Sequence, residues 1–172
     1  MIDQPRASFL ASQAFDLWQS GRTEDAVPLY EEALTFADPC HYGLPDYHGE
    51  FASVLSGLGR FVEAREQFEL ALKACLNQGA SEGSNGMVVA RYFLAGHLLG
   101  HQEPQLALDT LQPSMLNGIE LEWLLHYSKA FALQALKREE EARAEATLAL
   151  ETVSSDEKRK ELAELFAKSQ LL

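Results

Sequence analysis

Apolar residues recur along this chain with the period of an α-helix. Ala26, Tyr30, Ala33 and Ala37 fall at i, i+4, i+7 and i+11, so that they share one face of a helix. A further apolar stretch precedes each such face, and the spacing therefore predicts pairs of helices joined by a turn. The four preceding stretches are Phe9 to Trp18, Phe51 to Leu58, Val88 to Leu99 and Leu121 to Leu136.

The helix pairs are copies of one repeat. Gly21 stands five residues before an alanine, an aromatic residue follows four later and a second alanine three later, and Gly59 opens a second copy at the same spacing. Two weaker copies follow. No single hairpin can bury its apolar face alone, so the sequence predicts that the hairpins stack. The anchor alanines of the four copies are Ala26, Ala64, Ala107 and Ala142.

The pattern Gly–x4–Ala–x3–Tyr/Phe–x2–Ala resembles the tetratricopeptide repeat (TPR) family. The resemblance implies a single all-α domain over 1–172, a right-handed α-solenoid of about four hairpins with a C-terminal capping helix. The composition agrees, since 28 Leu and 23 Ala stand against 13 Val, Ile and Thr. In the fourth copy Lys137 replaces the glycine. The implied repeats are about 7–40, 45–78, 88–118 and 121–153, and the capping helix is about 155–169.

Three segments depart from a plain repeat. Residues 38–48, with two prolines, and residues 77–86, rich in Gly and Ser, are predicted inserts, the second one flexible. Such inserts are either tolerated loops or part of a binding face. Ser154 and Glu157 have capping-box spacing, which predicts the start of the last helix. Its predicted inward-facing residues are Leu162, Leu165 and Phe166.

Charge and composition exclude several classes of partner. The formal net charge is −12, which disfavours nucleic acid and anionic membrane surfaces. No apolar run of about 18 residues occurs, so no membrane-spanning helix is expected. Cys40 and Cys75 form no CxxC motif, and we expect two buried or half-buried thiols in a reducing compartment. The predicted location is the cytoplasm.

No residue pattern in the sequence points to catalysis, a metal or a cofactor. His97 and His101 lie at i, i+4, but Gly100 and Pro104 are expected to end the helix there. Cys40 and His41, near Asp46 and His48, lie on a Pro/Gly loop without a recognisable oxyanion device. Phosphate-binding glycine motifs are missing. The prediction is a non-enzymatic protein without metal, cofactor or catalytic residues.

The resemblance implies that the first helices of successive repeats line a concave groove. No Lys, Arg or Asn occupies the corresponding positions, so clamping of a C-terminal carboxylate is not expected. The positions are instead apolar and aromatic, which favours an apolar or aromatic partner segment. The predicted groove residues are Phe15, Trp18, Gln19, Ser53, Ser56, Tyr92, Tyr127, Phe131 and Gln134.

Three functions fit this sequence. The first is an adaptor that binds a protein or peptide segment in the groove. The second is a small acidic chaperone that masks apolar segments of a client, similar to the TPR chaperones of type III secretion. The third is self-assembly, with a homodimer among its forms, through exposed apolar residues such as Leu171 and Leu172.

Overall fold

The computed structural model describes residues 1–172 and contains nine α-helices, one short 3₁₀ helix and no strand. The helices are α1 (Gln4–Gln19), α2 (Thr23–Phe36), α3 (Leu44–Gly57), α4 (Phe61–Asn77), α5 (Asn85–Gly100), α6 (Pro104–Leu111), α7 (Glu122–Ala135), α8 (Glu139–Thr152) and α9 (Asp156–Lys168). The 3₁₀ helix covers Gln112–Ser114. The predicted all-α fold class is confirmed.

The chain divides into two compact units, Met1–Ala80 and Ser81–Leu172. The first unit holds the hairpins α1/α2 and α3/α4, and the second holds α5/α6, α7/α8 and the terminal helix α9. Each predicted helix pair is therefore present. The extent of the single predicted domain stays a prediction.

The small residues of the repeat let the two helices of a hairpin approach closely. Ala26 and Ala33 are fully buried on α2, and Tyr30 between them is also inaccessible to solvent. The Tyr30 ring stacks on Phe51 of α3 at a centroid distance of 5.6 Å. The aromatic residue of the repeat thus fills the space beside the alanines, as its spacing predicts.

Both repeat glycines end a first helix in the left-handed conformation. Gly21 has φ +82° and Gly59 has φ +75°. The next backbone N–H then bonds back across the last turn, from Arg22 to the Leu17 carbonyl and from Arg60 to the Leu55 carbonyl, both at 2.9 Å. This bond is the Schellman motif, which satisfies carbonyls that the helix end leaves free.

The same turn forms in the copies that have lost the glycine. Lys137 and Gln102 both adopt φ +63°. The closing bonds run from Arg138 to the Leu133 carbonyl at 3.0 Å and from Glu103 to the Leu98 carbonyl at 2.9 Å. A left-handed residue with a Cβ is strained by roughly 1–2 kcal/mol, so hairpin packing must hold these turns against a local cost.

The first insert is shorter than predicted. Helix α3 begins at Leu44 because Pro45 lies in its first turn, where proline is tolerated. The remaining loop is ordered by its own hydrogen bonds. Asp38 accepts from the Cys40 N–H at 2.8 Å, and His41 Nδ1 accepts from the Gly43 N–H at 3.1 Å. Cys40 is exposed, which corrects the prediction of two buried or half-buried thiols.

The second insert is anchored, contrary to the expected flexibility of residues 77–86. Helix α4 continues to Asn77, and α5 already begins at Asn85. In the second unit, Glu82 pairs bidentately with the buried Arg91 at 2.7 and 2.8 Å. The Ser114 hydroxyl also donates to Glu82, at 2.8 Å. A charged network that the composition of this segment did not predict therefore fixes its position.

The terminal helix starts one residue later than predicted, with a different capping serine, and it packs on the core through other residues than predicted. Ser155, rather than Ser154, caps α9 by accepting from the Lys158 N–H at 3.3 Å. Leu165 is exposed, so its predicted inward orientation is wrong. Leu171, predicted as an exposed assembly residue, is only 1% exposed, because Gln170 turns the chain back (φ +60°) and Leu171 rejoins the core. Of the two residues predicted for self-assembly, only Leu172 remains exposed.

Candidate partner-binding surface

Five predicted groove residues lie in the first unit. On α1, the rings of Phe15 and Trp18 meet edge to face at 5.9 Å, and Phe15 is 38% exposed. Gln19 is exposed at the end of the same helix. On α3, the Ser53 hydroxyl donates to the Gly49 carbonyl at 2.9 Å, and Ser56 is half-buried. This face combines one aromatic pair with small and polar side chains.

Polar contacts join α1 to α3 beside those residues. The hydroxyls of Ser8 and Tyr47 are 2.9 Å apart, and the Gln4 amide donates to Ser8 at 3.0 Å. The Gln4 side-chain oxygen also accepts from the Asp38 N–H at 2.8 Å. Sequence reasoning did not single out Gln4 and Tyr47, because a pair 43 residues apart has no local signal.

Two carboxyl groups on α3 are partly withdrawn from water. Burial raises the pKa of Glu50, and the neighbouring Asp46 raises it further, although the hydrogen bond from the Tyr30 hydroxyl acts in the opposite direction. That bond is 2.9 Å long. Burial also raises the pKa of Asp46. Glu50 thus joins α3 to α2 through Tyr30.

Three of the four remaining predicted groove residues form an aromatic group in the second unit. The ring centroids of Tyr92 on α5 and Tyr127 on α7 are 6.4 Å apart, and those of Tyr127 and Phe131 are 5.1 Å apart. All three side chains are half-buried. We call Tyr92, Tyr127 and Phe131 the aromatic row.

Phe166 of α9 supports the aromatic row from the core. Its ring lies 6.0 Å from Tyr127 and 6.1 Å from Phe131, and it is fully buried. Gln134, also a predicted groove residue, donates from its amide nitrogen to the Ser169 carbonyl at 2.7 Å and so holds the end of α9. The terminal helix thus uses one side of this row for its own packing, which the repeat pattern could not show.

The hydroxyls of the aromatic row are free to bind. Neither Tyr92 nor Tyr127 forms a hydrogen bond within the chain, and no buried side-chain polar atom lacks a partner, so both hydroxyls reach solvent. Burial raises the pKa of Tyr127, and the nearby Tyr92 raises it further. The Tyr127 phenol therefore stays protonated at neutral pH, and a phenol hydroxyl both donates and accepts hydrogen bonds.

Charge is distributed unevenly between the two helices of the hairpins. The first helices, α1, α3, α5 and α7, carry four acidic and three basic residues. The second helices, α2, α4, α6 and α8, carry thirteen acidic and three basic residues. Most of the negative charge therefore lies outside the helices that carry the predicted groove residues.

The residues considered for chemistry have other partners. His41 Nδ1 is occupied by Gly43, and His48 Nδ1 lies 2.8 Å from Gln67 Oε1. The rings of His97 and His101 stack at 4.3 Å, with His101 at the cap that ends α5. No group of three or more His, Cys, Asp or Glu side chains is placed to hold a metal ion. None of the nine helices has the length and apolar character needed to cross a bilayer.

Comparison with known proteins identifies the fold. No protein-family model and no curated protein matches the sequence. Among solved structures, the chain is similar to MamA (residues 41 to the end) of Desulfovibrio magneticus RS-1, with a TM-score of 0.67 and 17% identity over 96% of this chain and 86% of that one.

Two further solved structures lead to the same result. A kinesin light chain of Podosopora anserina with nearly identical TPR-like repeats has a TM-score of 0.70 at 16% identity, over 99% of this chain and 97% of that one. YrrB, described as a TPR protein with an unusual peptide-binding site, has a TM-score of 0.61 at 22% identity, over 94% and 77%. The chain therefore has an all-α helical-repeat fold similar to that of solved TPR structures.

Proposed function

We propose that this chain is a non-enzymatic interaction module that binds an apolar or aromatic segment of a partner protein. The observation that carries the proposal is the aromatic row: the Tyr127 ring contacts those of Tyr92 and Phe131, the buried Phe166 supports it, and the three rings are accessible from solvent. Aromatic side chains contribute large contact areas and dominate interface energetics.

Preorganisation supports this function. Because Tyr127 and Phe131 already pack on Phe166, binding need not order them, and less conformational entropy is lost. Phe15 and Trp18 provide a second aromatic contact in the first unit. The near balance of charge on the first helices suits an uncharged segment, whereas the acidic second helices would steer a partner with a basic surface.

Peptide selection on the immobilised full chain tests the proposal. Twelve-residue peptides would be selected from a random library, and their affinity measured by fluorescence anisotropy for the wild type, Tyr127→Ala and Tyr42→Ala. Tyr42 is 84% exposed on the 38–43 loop and is the matched control. We expect Tyr127→Ala to weaken binding by roughly 30-fold, as at an interface hot spot, and Tyr42→Ala to change it less than 2-fold.

Equal binding by Tyr127→Ala and the wild type would contradict the proposal, as would failure to select any peptide. Circular dichroism and thermal melting of each variant establish that it is folded. A Phe15→Ala variant extends the test to the first unit. The cytoplasm remains the proposed compartment, in keeping with two cysteines that form no disulfide with each other.

The same surface would serve the chaperone that the sequence also suggested. A chaperone must keep a whole apolar client soluble, so light scattering of the client with and without the chain separates it from an adaptor. Self-assembly loses part of its support, since Leu171 is buried in the core.

A further inference from the structure

One face of α1 corresponds to the face by which α3 stacks on the hairpin before it. Counted back from the repeat glycine, Phe9 and Gln13 of α1 match Tyr47 and Phe51 of α3. The Tyr47 hydroxyl lies 2.9 Å from a serine hydroxyl of α1, and the Phe51 ring stacks on Tyr30 of α2 at 5.6 Å. In α1 the matching residues are exposed, Phe9 by 61%. We call this surface, formed at helical spacing by Phe9, Gln13, Asp16 and Leu17, the outer face of α1.

An open recess lies on the outer face of α1, toward the end of the helix. Its volume is about 500 Å³, and its lining includes Gln13, Leu17 and, from α2, Leu29. Both leucines are half-buried, so each still presents apolar surface to a partner. Because a cavity of about 150 Å³ already holds a benzene ring, the recess has room for a phenylalanine side chain. Phe9 does not line the recess. The same face thus carries an exposed ring and a separate place for one, which makes it complementary to a second copy of itself.

Charge favours an antiparallel arrangement of two such faces. Arg6 lies beside Phe9 in the first half of α1, and Asp16 lies beside the recess in the second half. Asp16 is exposed and forms no ion pair within the chain. The Arg6 side chain is 51% exposed, and its guanidinium has N–H groups to donate beyond the one that binds Glu32. Antiparallel α1 helices bring Arg6 of each copy toward Asp16 of the other, whereas parallel helices would bring like charges together.

The last hairpin, α7/α8, offers no open stacking face that could receive α1 of another copy. Helix α9 packs on this hairpin through Leu162 and Phe166. The outward positions of α9 are mostly charged, among them Glu157, Lys160 and Glu164. End-to-end stacking of copies is therefore disfavoured, whereas a two-fold contact between identical faces closes on itself.

We propose that the outer face of α1 is a homodimer interface, in which two copies of this chain cross their α1 helices antiparallel about a two-fold axis. Phe9 of each copy enters the recess of the other, and Arg6 of each copy pairs with Asp16 of the other. Apolar contact supplies the affinity, and the two ion pairs fix the direction of the helices. This interface does not involve the aromatic row and goes beyond the proposed function.

Analytical ultracentrifugation of the full chain tests the proposal, at concentrations from about 1 μM to about 1 mM, the affinity range of small interfaces. The average mass should rise with concentration from the 19.1 kDa of one chain toward that of two. Phe9→Ala should raise the dissociation constant of the dimer by roughly 30-fold or more, because both copies lose the same central contact. Tyr42→Ala removes an aromatic residue that is 84% exposed elsewhere in the first unit, and this matched control should change the constant by less than about 2-fold.

Charge variants test the pairing of Arg6 with Asp16. Each copy has a formal net charge of −12, so exchanging an exposed acid for lysine lessens the general repulsion between copies. Glu66→Lys on α4 is the matched control and should leave dimerisation unchanged or strengthen it. Asp16→Lys should instead weaken it by about 3- to 10-fold, because two cations then meet, and Arg6→Glu should weaken it because two anions meet. An equimolar mixture of Asp16→Lys and Arg6→Glu should dimerise more tightly than either variant alone.

All of these positions are exposed, so the variants are expected to fold, and circular dichroism melting establishes that they do. A mass that stays at that of one chain at the highest concentration overturns the proposal, and so does a dimer that Phe9→Ala leaves intact. If Asp16→Lys strengthens the dimer as much as Glu66→Lys does, the antiparallel charge contact is wrong. Peptide binding at the aromatic row should be equal in Phe9→Ala and the wild type, so the dimer and the proposed function can fail independently.

Discussion

His126 Nδ1 of α7 lies 2.6 Å from Glu145 Oε2 of α8, and both side chains are buried. The second nitrogen of His126 lies 3.5 Å from Glu122, and Lys129 pairs with the other oxygen of Glu145 at 2.5 Å. Two carboxylates thus face one lysine and one histidine, and the cluster is electrically balanced when His126 is protonated. The last hairpin is held by charge as well as by alanine packing.

The His126 cluster predicts a pH dependence of stability. Burial lowers the pKa of His126, but the hydrogen bond and charge of Glu145, with those of Glu122, outweigh burial and raise it above the usual value. A raised folded-state pKa contributes stability that is fully present below about pH 6.5, the pKa of an unfolded histidine, and that is lost as pH rises through the folded value. Urea unfolding of the wild type and His126→Gln between pH 5.5 and 9 measures this contribution to the free energy of unfolding.

The difference in free energy of unfolding between wild type and His126→Gln should shrink as pH rises. A difference that grows with pH would contradict the prediction. The variant must be compared with the wild type because His48 changes stability with pH in the opposite direction. Burial lowers the pKa of His48, so its contribution to stability is present at high pH and is lost as pH falls.

Replacing Lys137 with glycine should stabilise the protein. Lys137 has φ +63° in a turn where the first two copies have glycine, and glycine removes the steric cost of that conformation. We expect Lys137→Gly to raise the free energy of unfolding by about 0.5–1.5 kcal/mol, since the more flexible unfolded chain offsets part of the gain. Chemical denaturation measures the change. Gly59→Ala is the reverse control and should lower stability, while equal stability of Lys137→Gly and wild type would contradict the interpretation.

Removing Arg91 should destabilise the second unit and free residues 81–86. The Arg91 side chain is 8% exposed and holds Glu82 bidentately as well as the Thr110 carbonyl at 2.9 Å. We expect Arg91→Met to lower the free energy of unfolding by roughly 2–4 kcal/mol, because Glu82 and the Thr110 carbonyl both lose a partner. Hydrogen exchange should rise first in the 81–86 segment.

Arg22→Met is the matched control for Arg91→Met. The side chains of Arg22 and Asp25 are 63% and 54% exposed, so this pair should contribute less than about 1 kcal/mol. Protection of residues 81–86 that persists in Arg91→Met would show that the network does not hold the segment.

Changing Phe166 should reduce both stability and binding. The ring is fully buried against Tyr127 and Phe131, and its removal leaves a cavity beneath the aromatic row. Phe166→Ala should cost about 3–5 kcal/mol, measured by thermal or chemical unfolding. Phe166→Leu should fold and still weaken the selected peptides, because the row loses aromatic support. Leu165→Ala, at a neighbouring position that is 38% exposed, should reduce neither stability nor peptide binding.

The sequence by itself determined the helices, their pairing and the glycine turns at Gly21 and Gly59. These features depend on short-range geometry: alanines and aromatics at helical spacing bury one face, and a residue with positive φ must follow each first helix. The predicted surface residues also followed from the repeat register. The rings of Tyr92, Tyr127 and Phe131 lie near one another because the register carries across about 35 residues, while their role as groove residues stays a prediction.

Tertiary structure decided which of those residues are available to a partner. Gln134 and Phe166 hold the terminal helix, Leu171 returns to the core, and Arg91 anchors a segment that composition describes as flexible. Each of these outcomes depends on a contact between different segments of the fold, often between one charged or aromatic side chain and another. Spacing within a helix cannot show such contacts, because the free energy of a buried side chain depends on the neighbours that folding brings to it.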